Sequence, residues 1–206
     1  MITRCLLIQA LLWIGSVLAG PGCTEKEAPT AHRRVEKAKT KASQTTARDW
    51  CDLHFSAEQA PAWRLPPSRP VRGNSQVPAV RADEWVWLNL WATWCKPCLR
   101  EMPLIQRFSD QLRADGVPLQ NWFLSLDEDP RVLADFLRLH PELGGPNSLR
   151  LEKPDQIQDW MKSYGLPAET SIPVSVLRGP GQKVRCIRTG SLHEGDFPLV
   201  RAALRQ

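Results

Sequence analysis

Long apolar segments are almost absent from this sequence. Only residues 5–19 form an apolar run, and it is shorter than the roughly 20 residues that a membrane-spanning helix needs. An excess of one charge is also missing from most of the chain, because residues 51–206 hold 19 basic and 18 acidic side chains. Nucleic-acid binding needs a basic face. This near-neutral body therefore argues against a nucleic-acid partner.

Recognisable patterns for metal or haem ligation are missing as well. The four histidines share no ligand spacing. Cys95 and Cys98 form a C-x-x-C pair, but Leu99 follows it where covalent haem attachment requires a His. A four-thiolate zinc site would normally show a second close cysteine pair, and the chain has none. We therefore expect no metal and no cofactor.

The N-terminus has the features of an export signal. A short basic segment at residues 1–4 precedes the apolar run, and small residues follow, so we predict a signal peptide over residues 1–22. Cleavage after Ala19 would release a soluble protein, whereas Cys23 resembles the acceptor cysteine of a bacterial lipoprotein. We predict lipidation of Cys23, with cleavage after Ala19 and an uncleaved membrane-retained helix as the alternatives.

A polar segment separates this signal from the rest of the chain. Residues 24–50 hold 7 basic and 4 acidic side chains, and residues 24–48 contain no aromatic residue. Such a segment cannot bury an apolar face, so we interpret residues 23–50 as a lipid anchor followed by a flexible basic tether. Adhesion to anionic lipid head groups is the alternative role for this charge.

The cysteines that remain after loss of the signal can be paired by counting. Once the lipid-modified cysteine is set aside, four are left in residues 51–206. Cys95 and Cys98 are the obvious local pair, which leaves Cys51 and Cys186 to form a structural disulfide. The alternative is that Cys51 and Cys186 are two unrelated buried thiols.

The hydrophobic pattern of residues 51–206 predicts one α/β domain with a mixed central sheet. Residues 85–91 are apolar on both faces, which is typical of a central parallel strand. The Pro-rich segment 61–80 suits an irregular stretch or an edge strand. The remaining predicted elements are a helix at 97–114 bent near Pro103, a strand at 119–126, helices at 130–139 and 154–164, strands at 174–177 and 184–188, and a helix at 194–205.

Cys95 and Cys98 lie where the predicted central strand meets its helix. The N–H groups and the dipole at a helix N-terminus stabilise a thiolate, so Cys95 should be a nucleophile of lowered pKa. Cys98, one turn further along, should be the resolving thiol that breaks the mixed disulfide. Lys96 adds positive charge beside this thiolate, and Pro97 suits the first helical position.

The Trp94-Cys95-Lys96-Pro97-Cys98 motif, with Glu101 and Pro103 after it, resembles the thioredoxin-like superfamily. In particular, it is similar to the membrane-anchored TlpA/ResA-type thiol:disulfide oxidoreductases of bacterial envelopes. The resemblance covers roughly residues 51–206. It implies a thioredoxin fold, with a central mixed sheet flanked by helices on both faces.

The resemblance also implies a second loop that carries a cis proline beside the dithiol. Ser171-Ile172-Pro173 precedes a predicted strand and matches this loop. A cis bond before Pro173 would bring the backbone of Ile172 close to Cys95, where a substrate chain pairs as an extended segment. The predicted substrate-binding residues are Trp94, Lys96, Pro97, Ile172 and Pro173.

Two positions bear on the proton chemistry of the dithiol. Thioredoxins proper carry a buried Asp six residues before the first cysteine, whereas this chain has Asn89, which cannot take up a proton. The TlpA/ResA-type branch carries a Glu near the dithiol, and Glu101 matches it. We predict that Glu101 tunes the thiolate pKa and helps to move the proton of Cys98. The alternative is an exposed Glu that favours the helix dipole.

These observations lead to one functional hypothesis. The chain is expected to be a lipid-anchored protein on the periplasmic side of a bacterial envelope that exchanges disulfides with client proteins through Cys95 and Cys98. The family resemblance favours a reductant that is kept reduced by a membrane electron donor and serves apocytochromes or copper-site proteins. Oxidase or isomerase work would use the same residues. The alternative class is a non-catalytic thioredoxin-like adaptor or metal-binding module.

Overall fold

The computed structural model describes residues 50–71, 77 and 79–205. The predicted signal peptide, the Cys23 lipidation site and the tether up to residue 49 lie outside these residues. The strands are β1 (Leu53–His54), β2 (Ser68–Pro70), β3 (Trp85–Trp91), β4 (Leu119–Ser125), β5 (Ser148–Leu151), β6 (Val174–Gly179) and β7 (Lys183–Thr189). The α-helices are α1 (Lys96–Ala114), α2 (Pro130–Leu139), α3 (Ile157–Ser163) and α4 (Phe197–Ala203).

The seven strands form one mixed sheet in the order β1-β7-β6-β3-β4-β5-β2. β4 pairs in parallel with β3 and β5, whereas β6 pairs antiparallel with β3 and β7. β1 and β2 are the two edge strands and both pair antiparallel. Because proline cannot donate a ladder hydrogen bond, Pro70 is accommodated at an edge. The Pro-rich segment therefore supplies the edge strand that its composition predicted.

Successive side chains of β3 point to opposite faces of the sheet, so the core has two layers. Val86, Leu88 and Leu90 pack on the face that α3 covers, whereas Trp87 and Trp91 point to the face that α1, α2 and α4 cover. Asn89 shares the second face and is fully buried there. The strand thus carries one polar side chain toward α1, which is the helix that begins at the dithiol. Helices cover both faces of the sheet, which confirms the predicted fold class.

Several elements differ from the sequence prediction. β1 and β5 have no counterpart in it, because β1 has two residues and the four-residue β5 is too short for a periodic pattern. The helices predicted at 154–164 and 194–205 are both shorter in the structure. Residues 154–156 form a 3₁₀ turn before α3, and residues 194–196 form one before α4. α1 runs through Pro103 without interruption. None of the helices in the described part of the chain is long and apolar enough to cross a membrane.

A disulfide joins Cys51 to Cys186 of β7. Both cysteines are buried in the core layer that contains Trp87. Next to this disulfide, the ring of Trp50 packs edge-on against that of Trp87, with 5.9 Å between the ring centroids. The segment before β1 is therefore held to the centre of the domain by a covalent bond and by aromatic packing.

Candidate active site

The dithiol lies at the junction of β3 and α1. Cys95 is the N-cap residue of α1, and its Sγ accepts a hydrogen bond from the Cys98 backbone N–H at 3.3 Å. The two sulfurs are joined in a disulfide. Cys95 is 4% exposed and Cys98 is fully buried. The helix N-terminus thus directs an N–H group at the sulfur of Cys95, the arrangement that stabilises a thiolate once the disulfide is reduced.

The residues predicted to bind substrate surround Cys95. Trp94 is 68% exposed, and Lys96 beside it is also exposed. The Ile172–Pro173 peptide bond is cis, and the carbonyl oxygen of Ile172 lies 3.9 Å from the Sγ of Cys95. The structure therefore brings the loop before β6 against the dithiol. Pro97 occupies the first turn of α1.

A cavity of about 380 Å³ opens beside this loop. Its wall includes the apolar side chains of Leu126, Met161 and Ile172, together with the indole of Trp94. Glu128 and Asp155 also line it, and neither forms an ion pair with another described residue. The space beside Trp94 and Ile172 is thus of a size that admits a side chain of a bound polypeptide.

Glu101 lies on α1 three residues after Cys98 and is buried, so the alternative of an exposed helix Glu is wrong. It is 2% exposed. Its Oε1 accepts a hydrogen bond from Asn89 Nδ2 at 2.8 Å, and its Oε2 accepts one from the Leu192 backbone N–H at 2.7 Å. Burial raises the pKa of the Glu101 carboxyl to about 7, although these two hydrogen bonds oppose the shift. Glu101 therefore titrates near neutral pH.

This raised pKa makes the stability of the domain depend on pH. Below about pH 4.5 the carboxyl is neutral in both folded and unfolded chains, whereas between pH 4.5 and 7 the folded chain holds its proton more strongly. The stabilising contribution of Glu101 to the free energy of unfolding is thus fully present below pH 4.5 and is lost as the pH rises through about 7. We expect the free energy of unfolding of the wild type, relative to Glu101→Gln, to fall by about 3 kcal/mol between pH 4.5 and 8.

Urea unfolding of both proteins across this pH range measures the difference. Asp110→Asn is a suitable control, because Asp110 is an exposed carboxylate on the same helix. Its stability difference from the wild type should show no comparable fall between pH 4.5 and 8. A constant difference between wild type and Glu101→Gln would contradict the assignment of the raised pKa to Glu101.

The acidic run at residues 127–129 has two separate roles. Asp129 accepts a hydrogen bond from the Arg131 backbone N–H and caps α2, as its sequence position predicts. Asp127, by contrast, is buried and binds Thr93, two residues before Cys95. The sequence pattern alone does not indicate this contact, because Thr93 and Asp127 are 34 residues apart. The parallel pairing of β3 and β4 explains it, because their carboxyl ends meet at the same edge of the sheet.

The described residues contain no group of three or more His, Cys, Asp or Glu side chains placed to hold a metal ion. The four cysteines at positions 51, 95, 98 and 186 form two separate disulfides. The chemistry that the site itself displays is that of a cysteine pair at a helix N-terminus.

Part of the sequence is similar to known thiol-disulfide oxidoreductases. No protein-family model matches the chain. The sequence is 39% identical over 101 residues to the thiol-disulfide oxidoreductase ResA of Bacillus anthracis, covering 48% of this chain and 51% of that protein. It is 28% identical over 113 residues to ResA of Geobacillus thermodenitrificans, covering 54% of this chain and 58% of that protein. The chain spans about half the length of the curated relatives it matches.

Solved structures agree on the fold. A secreted thiol-disulfide isomerase from Corynebacterium glutamicum superposes with a TM-score of 0.54 at 19% identity, covering 74% of this chain and 89% of that one. A thioredoxin-related protein from Neisseria meningitidis gives a TM-score of 0.50 at 24% identity, covering 66% and 95%. The chain thus has a thioredoxin fold. The sequence relatives named above are thiol-disulfide oxidoreductases of the ResA type.

Proposed function

We propose that this protein exchanges disulfides with client proteins through Cys95 and Cys98. The observation that carries the proposal is the position of Cys95, which caps α1 beside the cis Ile172–Pro173 bond and the exposed Trp94. The ResA relatives are named as thiol-disulfide oxidoreductases, which supports the same activity here.

The exchange proceeds in two steps, attack on the client disulfide and resolution of the mixed disulfide. The Cys95 thiolate attacks one sulfur of a client disulfide, so that a mixed disulfide forms and the other client sulfur leaves as a thiolate. Cys98 then loses its proton and attacks the Sγ of Cys95. This step forms the Cys95–Cys98 disulfide and releases the second client sulfur. The client gains two electrons and the protein loses them, and an external dithiol reductant must return the pair to its reduced form.

Glu101 is the proposed acceptor for the proton of Cys98. The two residues are three positions apart on α1 and therefore lie on neighbouring parts of one helix face. A carboxyl with a pKa of about 7 can both take up and release a proton near neutral pH. Asn89 supports this function by holding the carboxylate, and its own Oδ1 is buried without a partner among the described residues.

Clients are proposed to bind across the surface that contains Trp94, Lys96, Pro97, Ile172 and Pro173. The Ile172 carbonyl next to Cys95 provides a backbone acceptor for an extended client chain. The neighbouring cavity offers an apolar wall for a client side chain. An indole as exposed as that of Trp94 is a typical contact residue for a protein partner.

The direction and location of the reaction are also proposals. We expect the protein to act as a reductant on the periplasmic side of a bacterial envelope, supplied by a membrane electron donor, in the maturation of cytochromes or copper sites. The predicted signal peptide at residues 1–22 supports export, and Cys23 with the segment 23–50 supports attachment by lipid. The buried Cys51–Cys186 disulfide is consistent with an oxidising compartment.

Trapping of clients tests this proposal. Cys98→Ser retains the attacking thiol but cannot resolve the mixed disulfide, so clients should accumulate covalently on Cys95. Expressed with its own N-terminal segment, this variant should capture exported proteins with functional cysteines, identified by mass spectrometry after non-reducing electrophoresis. The double variant Cys95→Ser/Cys98→Ser is the control and should capture none. Absence of covalent capture by Cys98→Ser as well would favour a non-catalytic adaptor.

A further inference from the structure

Asp127 is a buried carboxylate that the proposed exchange steps do not use. It lies just beyond the end of β4 and is 6% exposed. Thr93 donates to it twice, through its backbone N–H at 3.0 Å and through Oγ1–H at 2.6 Å. Ser125 Oγ–H donates to Oδ2 at 2.7 Å. No Lys or Arg in the described part of the chain forms an ion pair with Asp127, so hydroxyl and amide donors alone compensate the buried carboxylate.

These bonds hold the turn that carries the dithiol. Directly before it, the backbone N–H of Leu126 donates to the carbonyl oxygen of Trp91 at 2.8 Å, one step beyond the paired residues of β3 and β4. Thr93 is then bound to Asp127, and the Cys95 N–H closes the turn on the Ala92 carbonyl at 3.0 Å. The chain from the end of β3 to the helix N-cap is thus fixed to the neighbouring strand.

Thr93 is the residue of this turn that Asp127 binds, and it lies close to Cys95 in the chain. Only Trp94 separates the two residues, and Trp94 is mostly exposed and gives the turn little packing. The alignment of Cys95 Sγ with the N–H of Cys98 therefore depends on the backbone at Thr93. Hydrogen bonds to an ionised acceptor are about twice as strong as neutral ones, which suits them to fix a short exposed turn.

We infer that Asp127 is a positioning residue for the reactive cysteine, and that it acts through Thr93 by holding Cys95 against the N-terminus of α1. This inference rests on the proposed function only for its biological consequence. The hydrogen bonds of Asp127 themselves bear only on the reactivity of the Cys95 thiol. This role adds to the site a residue from the loop after β4, which neither the dithiol motif nor the cis-proline loop includes.

Asp127 affects the pKa of Cys95 in two ways that have opposite signs, and the two effects can be measured separately. Loss of the hydrogen bonds would let the turn move, weaken the contact of the thiolate with the helix N-terminus and raise the pKa of Cys95. Loss of the negative charge alone would lower the pKa of Cys95, since a nearby anion opposes a thiolate. Thr93→Val removes one hydrogen bond with no change in charge, so it isolates the positioning effect.

The test is the rate at which iodoacetamide alkylates Cys95 in the reduced protein as a function of pH, with the site of reaction read by mass spectrometry. Thr93→Val should raise the measured pKa of Cys95 and lower the rate at pH 7 by about threefold. Asp127→Ala should act in the same direction by about tenfold. The double variant Thr93→Val/Asp127→Ala should react at most about twofold more slowly than Asp127→Ala alone, because both substitutions remove the same interaction between Thr93 and Asp127.

Asp127→Asn and Asp129→Asn complete the set. An Asn at 127 keeps one oxygen for Thr93 and can donate its amide to Ser125 Oγ, so it should restore most of the rate that Ala loses. Asp129 binds Arg131 and not Thr93, so Asp129→Asn should behave as the wild type. If Asp127→Ala does not fold, Thr93→Val and Ser125→Ala provide the test.

Two results would overturn the inference. One is an unchanged pKa and rate for Cys95 in Thr93→Val. The other is a lowered pKa in both Asp127 variants, which would mean that the carboxylate acts through its charge. Alkylation requires only a free thiol, so the result stands even if the wild type shows no activity on protein disulfides.

Discussion

Replacement of Cys95 by Ser should abolish the reduction of protein disulfides by this protein. With dithiothreitol as electron donor and insulin as the acceptor, we expect the catalysed rate to fall by about three orders of magnitude or more. The reason is that the first covalent bond to the client forms on the Cys95 sulfur, and a hydroxyl at the same place is far too weakly acidic to replace it.

Cys98→Ser provides the informative comparison. This variant should also lose turnover, yet it should form a mixed disulfide with insulin in a single rapid step, because Cys95 remains at the helix N-cap. Cys95→Ser should not form one at a comparable rate, since Cys98 is fully buried. If the two single variants formed mixed disulfides equally fast, the assignment of attacking and resolving thiols would be wrong.

Removal of the Cys51–Cys186 disulfide should have the largest effect on stability. The bond closes a loop with a sequence separation of 135 residues. Loop-closure entropy assigns such a bond roughly 4–5 kcal/mol of unfolding free energy. We therefore expect Cys51→Ala/Cys186→Ala to melt about 10 °C or more below the wild type. Differential scanning calorimetry of both oxidised proteins measures the shift.

The dithiol itself supplies the matched control. Cys95→Ala/Cys98→Ala removes a disulfide whose cysteines are three positions apart, so the entropy of the unfolded chain changes much less. Its loss of stability should be roughly 2 kcal/mol or less. Melting temperatures that fall equally in the two double variants would show that Cys51–Cys186 does not act by restricting the unfolded chain.

The local part of this site could be predicted from the sequence, because the residues that define it lie close together in the chain. The spacing of Cys95 and Cys98, the proline at 97 and the apolar residues of the following helix are all visible within one stretch of chain. The fold class followed from the succession of strands and helices and is confirmed by the sheet order. β5 was missed because its four residues depend on β4 and β2 as neighbours for their strand structure.

The part of the site that depends on contacts between distant segments could not be predicted in the same way. The carboxylate of Glu101 accepts hydrogen bonds from Leu192 and Asn89, which lie 91 residues after it and 12 residues before it. The binding of Thr93 by Asp127 spans 34 residues. Both contacts become predictable only when the parallel pairing of β3 with β4 and the packing of α1 on β3 are known.

The central claim is that Cys95 and Cys98 transfer electrons to a protein disulfide. Its most direct test is a single turnover, in which the fully reduced protein, freed of reductant, is mixed with an equal amount of insulin and the masses of both are measured. We predict that the protein loses two hydrogen atoms with formation of the Cys95–Cys98 disulfide, while insulin gains two in one of its disulfides. A reduced protein that stays reduced beside intact insulin would contradict the claim.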